Sequence, residues 1–135
     1  MRELTSDEYY TPDWLIEIPT AKKWLLDRIS GPFMDTNCGQ GNWLFKILQL
    51  KLESGIDHKD ALKDLYGVEF QKDSAEICQD RLLCGREDLR HVVEKNIVCA
   101  DALRYHYRFD GSPPYDDEVK AQAKEELLNN LFDFE

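Results

Sequence analysis

The sequence predicts an α/β domain with a three-stranded parallel sheet flanked by helices. Three observations lead there. Short apolar runs alternate with longer amphipathic stretches in the order α-β-α-β-α-β-α, a pattern that pairs strands in parallel through right-handed crossovers. Each apolar run delivers an acidic residue at its carboxyl end, namely Asp35, Glu69 and Asp101. The length of 135 residues suits one domain, 1–135, and the chain has no internal repeat and no low-complexity linker.

The elements follow in order. Thr11-Pro12 opens the first helix, Thr as an N-cap and Pro in the first turn. The helix reads through Trp14, Leu15 and Ile18, is interrupted or restarted at Pro19, and continues through Trp24, Leu25 and Ile29 to a stop at Ser30-Gly31-Pro32. A short strand, Phe33-Met34, runs into the loop 35–42. Leu44, Ile47, Leu48 and Leu52 then stand at helical spacing, and Ser54-Gly55 ends that helix. A short helical piece over 58–63 leads to a second strand over 64–69. Another helix spans about 72–83, buried through Ala75, Cys78 and Leu82 and capped by Gly85. Residues 88–94 form a short helix or turn, and a third strand, 96–100, delivers Asp101. The stretch Tyr105-His106-Tyr107-Arg108-Phe109 and a turn over 110–114 precede a last helix with Val119, Ala123, Leu127 and Leu131 on one stripe.

Composition narrows the class. The chain is 42% hydrophobic with three Trp, six Tyr and six Phe, enough for a core, and its 33% charged share fits a folded domain. No apolar run is long enough to span a membrane, and residues 1–7 lack the apolar centre of a signal peptide, so a cytoplasmic location is expected. Cys38, Cys78, Cys84 and Cys99 contain no CxxC pair, which points to buried free thiols and to no metal site. His58, His91 and His106 read as lone surface residues. The net charge of −10 argues against strong unaided binding to duplex DNA, where phosphate neutralisation supplies much of the affinity.

The chemistry concentrates where parallel sheets bind ligands, outside the carboxyl ends of the strands. Gly39 and Gly41 stand between a strand and a helix, where the absence of a Cβ lets backbone approach a ligand and helix amides face the same spot. A dinucleotide fingerprint needs a third glycine, and Trp43-Leu44 stands in its place. Glu69 is placed to accept from two ribose hydroxyls, Asp101 to accept from an adenine amino group, and Phe70 to wall the base. Together they read as an adenosine pocket.

These residues resemble a known family. Asp35-x-x-Cys38-Gly39-x-Gly41-Asn42-Trp43-Leu44 resembles the glycine loop of class I methyltransferases, usually written D-P-x-C-G-x-G-x-F-L, with Thr36 in place of its proline. Leu65 to Glu69 resembles the second motif and Asn96 to Leu103 the third. Tyr9-Tyr10-Thr11-Pro12 resembles the Y-F-T-P segment of adenine-N6 DNA methyltransferases. The resemblance covers residues 8–103 and implies a Rossmann-like half-fold with S-adenosylmethionine as cofactor. By position it assigns Asp35, Gly39 and Gly41 to the methionine end, with Thr11-Pro12 closing over its carboxylate, Glu69 to the ribose and Asp101 to the adenine, and it counts Tyr10, Asn37, Cys38, Asn42, Phe70 and Ala102 among the cofactor-binding residues.

The family's catalytic tetrapeptide, (Asp/Asn/Ser)-Pro-Pro-(Tyr/Phe), is matched in letters by Ser112-Pro113-Pro114-Tyr115, which the resemblance makes the grip on a flipped base. Against this, residues 107–111 are polar, short and glycine-ended, a poor central strand, so a proline-rich turn into the last helix competes with the catalytic reading. With no fourth strand, the outer edge of the first is left open, to be covered by the last helix or paired with another chain. The expectation is a truncated, restriction-modification-type methyltransferase that meets DNA with another domain or subunit and forms a homodimer or a complex with a partner that completes the sheet. The alternatives are a non-catalytic partner or acidic antirestriction protein on a degenerate methyltransferase fold, and a methyltransferase acting on RNA or protein.

Overall fold

A computed structural model describes residues 18–132. The element order is α1 (Pro19–Asp27), β1 (Phe33–Asp35), α2 (Asn42–Glu53), α3 (His58–Lys63), β2 (Leu65–Glu69), α4 (Lys72–Leu83), a 3-10 turn (Glu87–Leu89), α5 (Arg90–Asn96), β3 (Ile97–Cys99) and α6 (Asp116–Leu131). The three strands form one open parallel sheet in the order β1-β2-β3, with Phe33 opposite Leu65 and Gly67 opposite Ile97. The expected α/β sheet is thus present. The third strand is shorter than its apolar run, because Asn96 closes α5: its Nδ2 donates to the Leu62 and Lys63 carbonyls at 3.0 and 3.3 Å.

Both crossovers step the same way along the sheet, so their helices share one face. Phe33, Leu65 and Ile97 point into that face and pack on Leu44, Ile47 and Leu48 of α2, Ala61 and Leu62 of α3, Cys78 and Leu82 of α4, and Val92 and Val93 of α5. Burying each of the larger aliphatic side chains contributes roughly 1.5–3 kcal/mol, and this cluster carries most of the stability. The second face holds Val68 and Val98 and, among the described residues, is covered by an aromatic layer from Tyr105, Phe109 and Tyr115.

That layer is held in unusual backbone. Tyr107 and Phe109 adopt φ of 58° and 47°, left-handed values that L side chains seldom take. Phe109 packs against Tyr66 with tilted rings at 4.8 Å and meets Tyr105 edge-on at 5.1 Å, contacts that offset the local strain. Residues 107–111 form no strand, so the sequence's doubt about that segment was physically sound.

The last helix departs from expectation. The stripe of Val119, Ala123, Leu127 and Leu131 predicts a packed face, yet α6 has no buried residue and Leu131 remains 60% exposed. It does not cover β1, whose outer edge is unpaired within the described residues. No helix among those residues is long and apolar enough to cross a membrane.

Candidate functional site

The glycine loop after β1 is anchored to β2 by backbone. Cys38 donates its N–H to the Val68 carbonyl at 3.1 Å, and Gly41 donates to the Cys38 carbonyl at 2.9 Å. Gly39 and Gly41 take φ of 54° and 90°, conformations that favour glycine. A Cβ on Gly41 would stand 2.8 Å from Cys78 Sγ, so the close approach that this glycine permits is to α4. The absence of a side chain at Gly41 thus makes room for Cys78 of α4.

Glu69 is fully buried, and its two carboxylate oxygens accept backbone N–H groups. Oε1 accepts from Gly39 at 3.2 Å and Oε2 from Gln71 at 2.7 Å. The glycine loop and the end of β2 are therefore brought together as expected, but the carboxylate is turned inward to brace the loop. It does not open toward solvent, where ribose hydroxyls would need it. Two of its donors are backbone amides that lie beyond the ends of β1 and β2.

A cleft of about 500 Å³ lies outside the carboxyl ends of the strands. Thr36 and Asn37 form one wall, and Phe70 and residues 100–103, including Asp101 and Ala102, form the other. Phe70 offers an exposed ring, 54% accessible. Asp101 Oδ1 accepts from the Leu103 N–H at 2.9 Å, an Asx turn that orients the carboxyl, and Oδ2 has no hydrogen-bond donor among the described residues. The Asp101 N–H donates to the Tyr115 hydroxyl at 3.0 Å. Among the described residues, the cleft walls carry a carboxylate and neutral groups but no lysine or arginine.

Asp35 borders a second, 340 Å³ depression with Met34, Thr36 and Trp43, and its Oδ1 accepts from Asn37 N–H at 3.0 Å. Burial raises its carboxyl above the ordinary aspartate value, and the Asn37 hydrogen bond opposes that rise in part. Cys38 is buried against Cys78. Hydrogen bonding with Cys78, then burial, push its thiol above the usual cysteine range. Asn42 opens α2 and accepts Arg81 Nη1 through its side-chain oxygen. Tyr10, Thr11 and Pro12 lie outside the described residues.

Ser112, Pro113, Pro114 and Tyr115 form a turn folded onto its own neighbours. Ser112 Oγ donates to Asp110 Oδ1 at 2.5 Å and lies 3.1 Å from His106 Nε2. His106 Nε2 is 2.7 Å from the Pro113 carbonyl oxygen, and the His106 N–H donates to the Pro114 carbonyl at 3.2 Å. The Tyr115 ring is covered by the Arg104 guanidinium at 4.0 Å. The Ser112 hydroxyl, the two proline carbonyls and the Tyr115 ring are thus engaged by Asp110, His106 and Arg104.

Three residues outside the sequence expectation shape the site. Arg81 on α4 donates to the Gln40 carbonyl at 3.0 Å and to Asn42, and stacks over Phe45, locking the loop's exit into α2. Lys51, fully buried, donates to the Ile29 and Gly31 carbonyls at 2.6 and 2.7 Å and so fixes the entry to β1. His58 Nε2 lies 2.9 Å from the Leu82 carbonyl oxygen at the end of α4. His58 and His106 are thus not lone surface histidines. Two of the cysteines, Cys84 and Cys99, are exposed where burial was expected. A sequence signal existed for Lys51: it falls on the apolar stripe of α2, one turn past Ile47 and Leu48.

The chain matches no family model, no curated protein and no solved structure.

Proposed function

We propose that the chain binds S-adenosylmethionine in the cleft outside the strand ends and takes part in methyl transfer to adenine N6 of DNA, as the donor-binding half of a methyltransferase-like fold. The observation that carries this reading is the chemistry of the cleft: an oriented carboxylate and an exposed aromatic ring in about 500 Å³, with no basic side chain among the described residues that line it. Such walls suit an adenosyl group and a cationic ligand, and they disfavour the anionic pyrophosphate of a dinucleotide. When bound, the donor supplies an already activated methyl group, so the protein's task is alignment and exclusion of water.

In this reading Asp101 Oδ2 accepts from the adenine amino group, Phe70 lies against the base, and Thr36 and Asn37 line the side nearer the methionine end. Glu69 acts behind the site by holding Gly39, and Arg81 holds the exit of the same loop. Calorimetric titration with S-adenosylmethionine tests the reading. A saturable binding heat that is lost in Asp101→Ala supports it, and the absence of heat or thermal shift at millimolar ligand removes it.

Two observations favour a second reading, that of a non-catalytic partner or acidic antirestriction protein. Ser112, the two proline carbonyls and Tyr115 are engaged by Asp110, His106 and Arg104, and the chain carries a net charge of −10. Transfer of tritiated methyl groups to DNA, RNA and protein pools separates the readings. Label in DNA supports the first, and ligand-free co-purification with a restriction complex supports the second.

A further inference from the structure

At the opposite, amino ends of β2 and β3 lies a second cleft, of about 450 Å³. Lys59 and Lys63 of α3 and His91 and Lys95 of α5 line it, together with Tyr66 and Asn96. The i,i+4 spacing puts each basic pair on one face of its helix. The two helices are tied to each other by Asn96, which donates to the Leu62 and Lys63 carbonyls. None of the three lysine amines is paired with a carboxylate among the described residues, while Asp60, Asp64 and Glu94 of the same segment lie outside the cleft wall.

The three lysines are solvent-exposed and line one recess whose wall holds no carboxylate among the described residues, so the cleft offers several cationic donors to an incoming anion. Among 27 acidic and 17 basic residues, these lysines had abundant carboxylates available as partners. From this geometry we infer that the cleft binds a compact, multiply charged phosphate anion of the diphosphate type. Compactness follows from charge: a long polyanion would meet the surrounding surface of a chain at −10, whereas a diphosphate touches the cationic recess alone. Tyr66, whose hydroxyl has no hydrogen-bond partner among the described residues, supplies a further donor in the wall. The inference stands apart from the methyl-donor reading, because the two clefts lie at opposite ends of the strands and share no residue.

The test is an NMR titration of the labelled full chain with sodium pyrophosphate, mapped on backbone amides. Shifts clustered on α3 and α5 are expected. Lys59→Gln/Lys63→Gln should weaken binding by about tenfold or more, given the loss of two close charges. Lys120→Gln/Lys124→Gln, an equally spaced pair on α6, should leave it unchanged. Equal weakening by both pairs, or shifts scattered over all basic residues, would overturn a built site, as would no response at millimolar pyrophosphate. A short duplex DNA added in a competing arm distinguishes the sources of phosphate. Tighter, lysine-dependent binding of the duplex would replace the compact anion by a nucleic-acid backbone. The mapping on the wild-type chain decides the matter even where a variant folds poorly.

Discussion

Cys38 occupies the space that a side chain at Gly67 would need: an added Cβ would stand 2.8 Å from Cys38 Sγ and 3.1 Å from Ile97 Cδ1. The central strand thus touches the glycine loop through a missing side chain. Gly67→Ala should destabilise the protein by about 2–3 kcal/mol in urea unfolding, from overpacking in the core. Adding Cys38→Ala should recover part of that loss. Gly55→Ala, with no neighbour within 4 Å but φ of 89°, should cost only about 1 kcal/mol from the left-handed backbone.

Glu69 and Asp101 should separate stability from ligand affinity. Glu69→Gln replaces one acceptor oxygen by a donor and leaves the Gly39 or Gln71 amide unsatisfied, at a cost of about 1–3 kcal/mol in thermal or urea unfolding. Asp101→Asn keeps an Asx-turn oxygen, so stability should move by no more than about 0.5 kcal/mol. If the adenine contact is as proposed, S-adenosylmethionine affinity in that variant should fall about tenfold, read by calorimetry.

Lys51→Met keeps the length of the buried side chain and removes its donor. The Ile29 and Gly31 carbonyls then lose a charged partner, and unfolding free energy should drop by about 2–4 kcal/mol. A melting temperature equal to that of the unaltered chain would show that these hydrogen bonds contribute nothing net.

Asp35 gives a pH dependence of defined sign. Burial raises its folded pKa above the ordinary 3.8, so the folded chain holds this proton to higher pH than the unfolded chain. The group's favourable contribution is complete below the unfolded value and is lost as pH rises through the folded one. Asp35→Asn, which preserves an acceptor for the Asn37 N–H, should therefore melt higher than the parent at pH 7. The difference should close as the pH is lowered through the acid range, and a gap that is constant or widens on acidification would contradict the burial argument.

What was legible in the sequence is what backbone pattern controls. The alternation of apolar runs located all three strands, and the position of Asp101 beside a cleft followed from the strand-end rule alone. What was not legible depends on which way a side chain turns. Glu69 stands at the expected position, yet its carboxylate turns inward because two loop amides needed an acceptor. Ser112 to Tyr115 matches a motif in letters, but His106 and Arg104 consume its polar and aromatic groups, and no one-dimensional spacing reports that. The stripe on α6 obeyed helical periodicity without a surface to pack on, because periodicity states only which residues share a face.

The helix from Asp116 to Leu131 buries none of its side chains, and among the described residues its ties to the rest of the fold are exposed ion pairs of Asp116 and Asp117 with Arg108 and Arg104 in its first turn. Sixteen residues is close to the length at which a lone helix is marginal in water. Hydrogen exchange should accordingly divide the chain into two regimes: amides of α6 exchanging within seconds, and those of β2 exchanging only through global unfolding. Truncation after Tyr115 should then leave the cooperative melt of the remainder where it was.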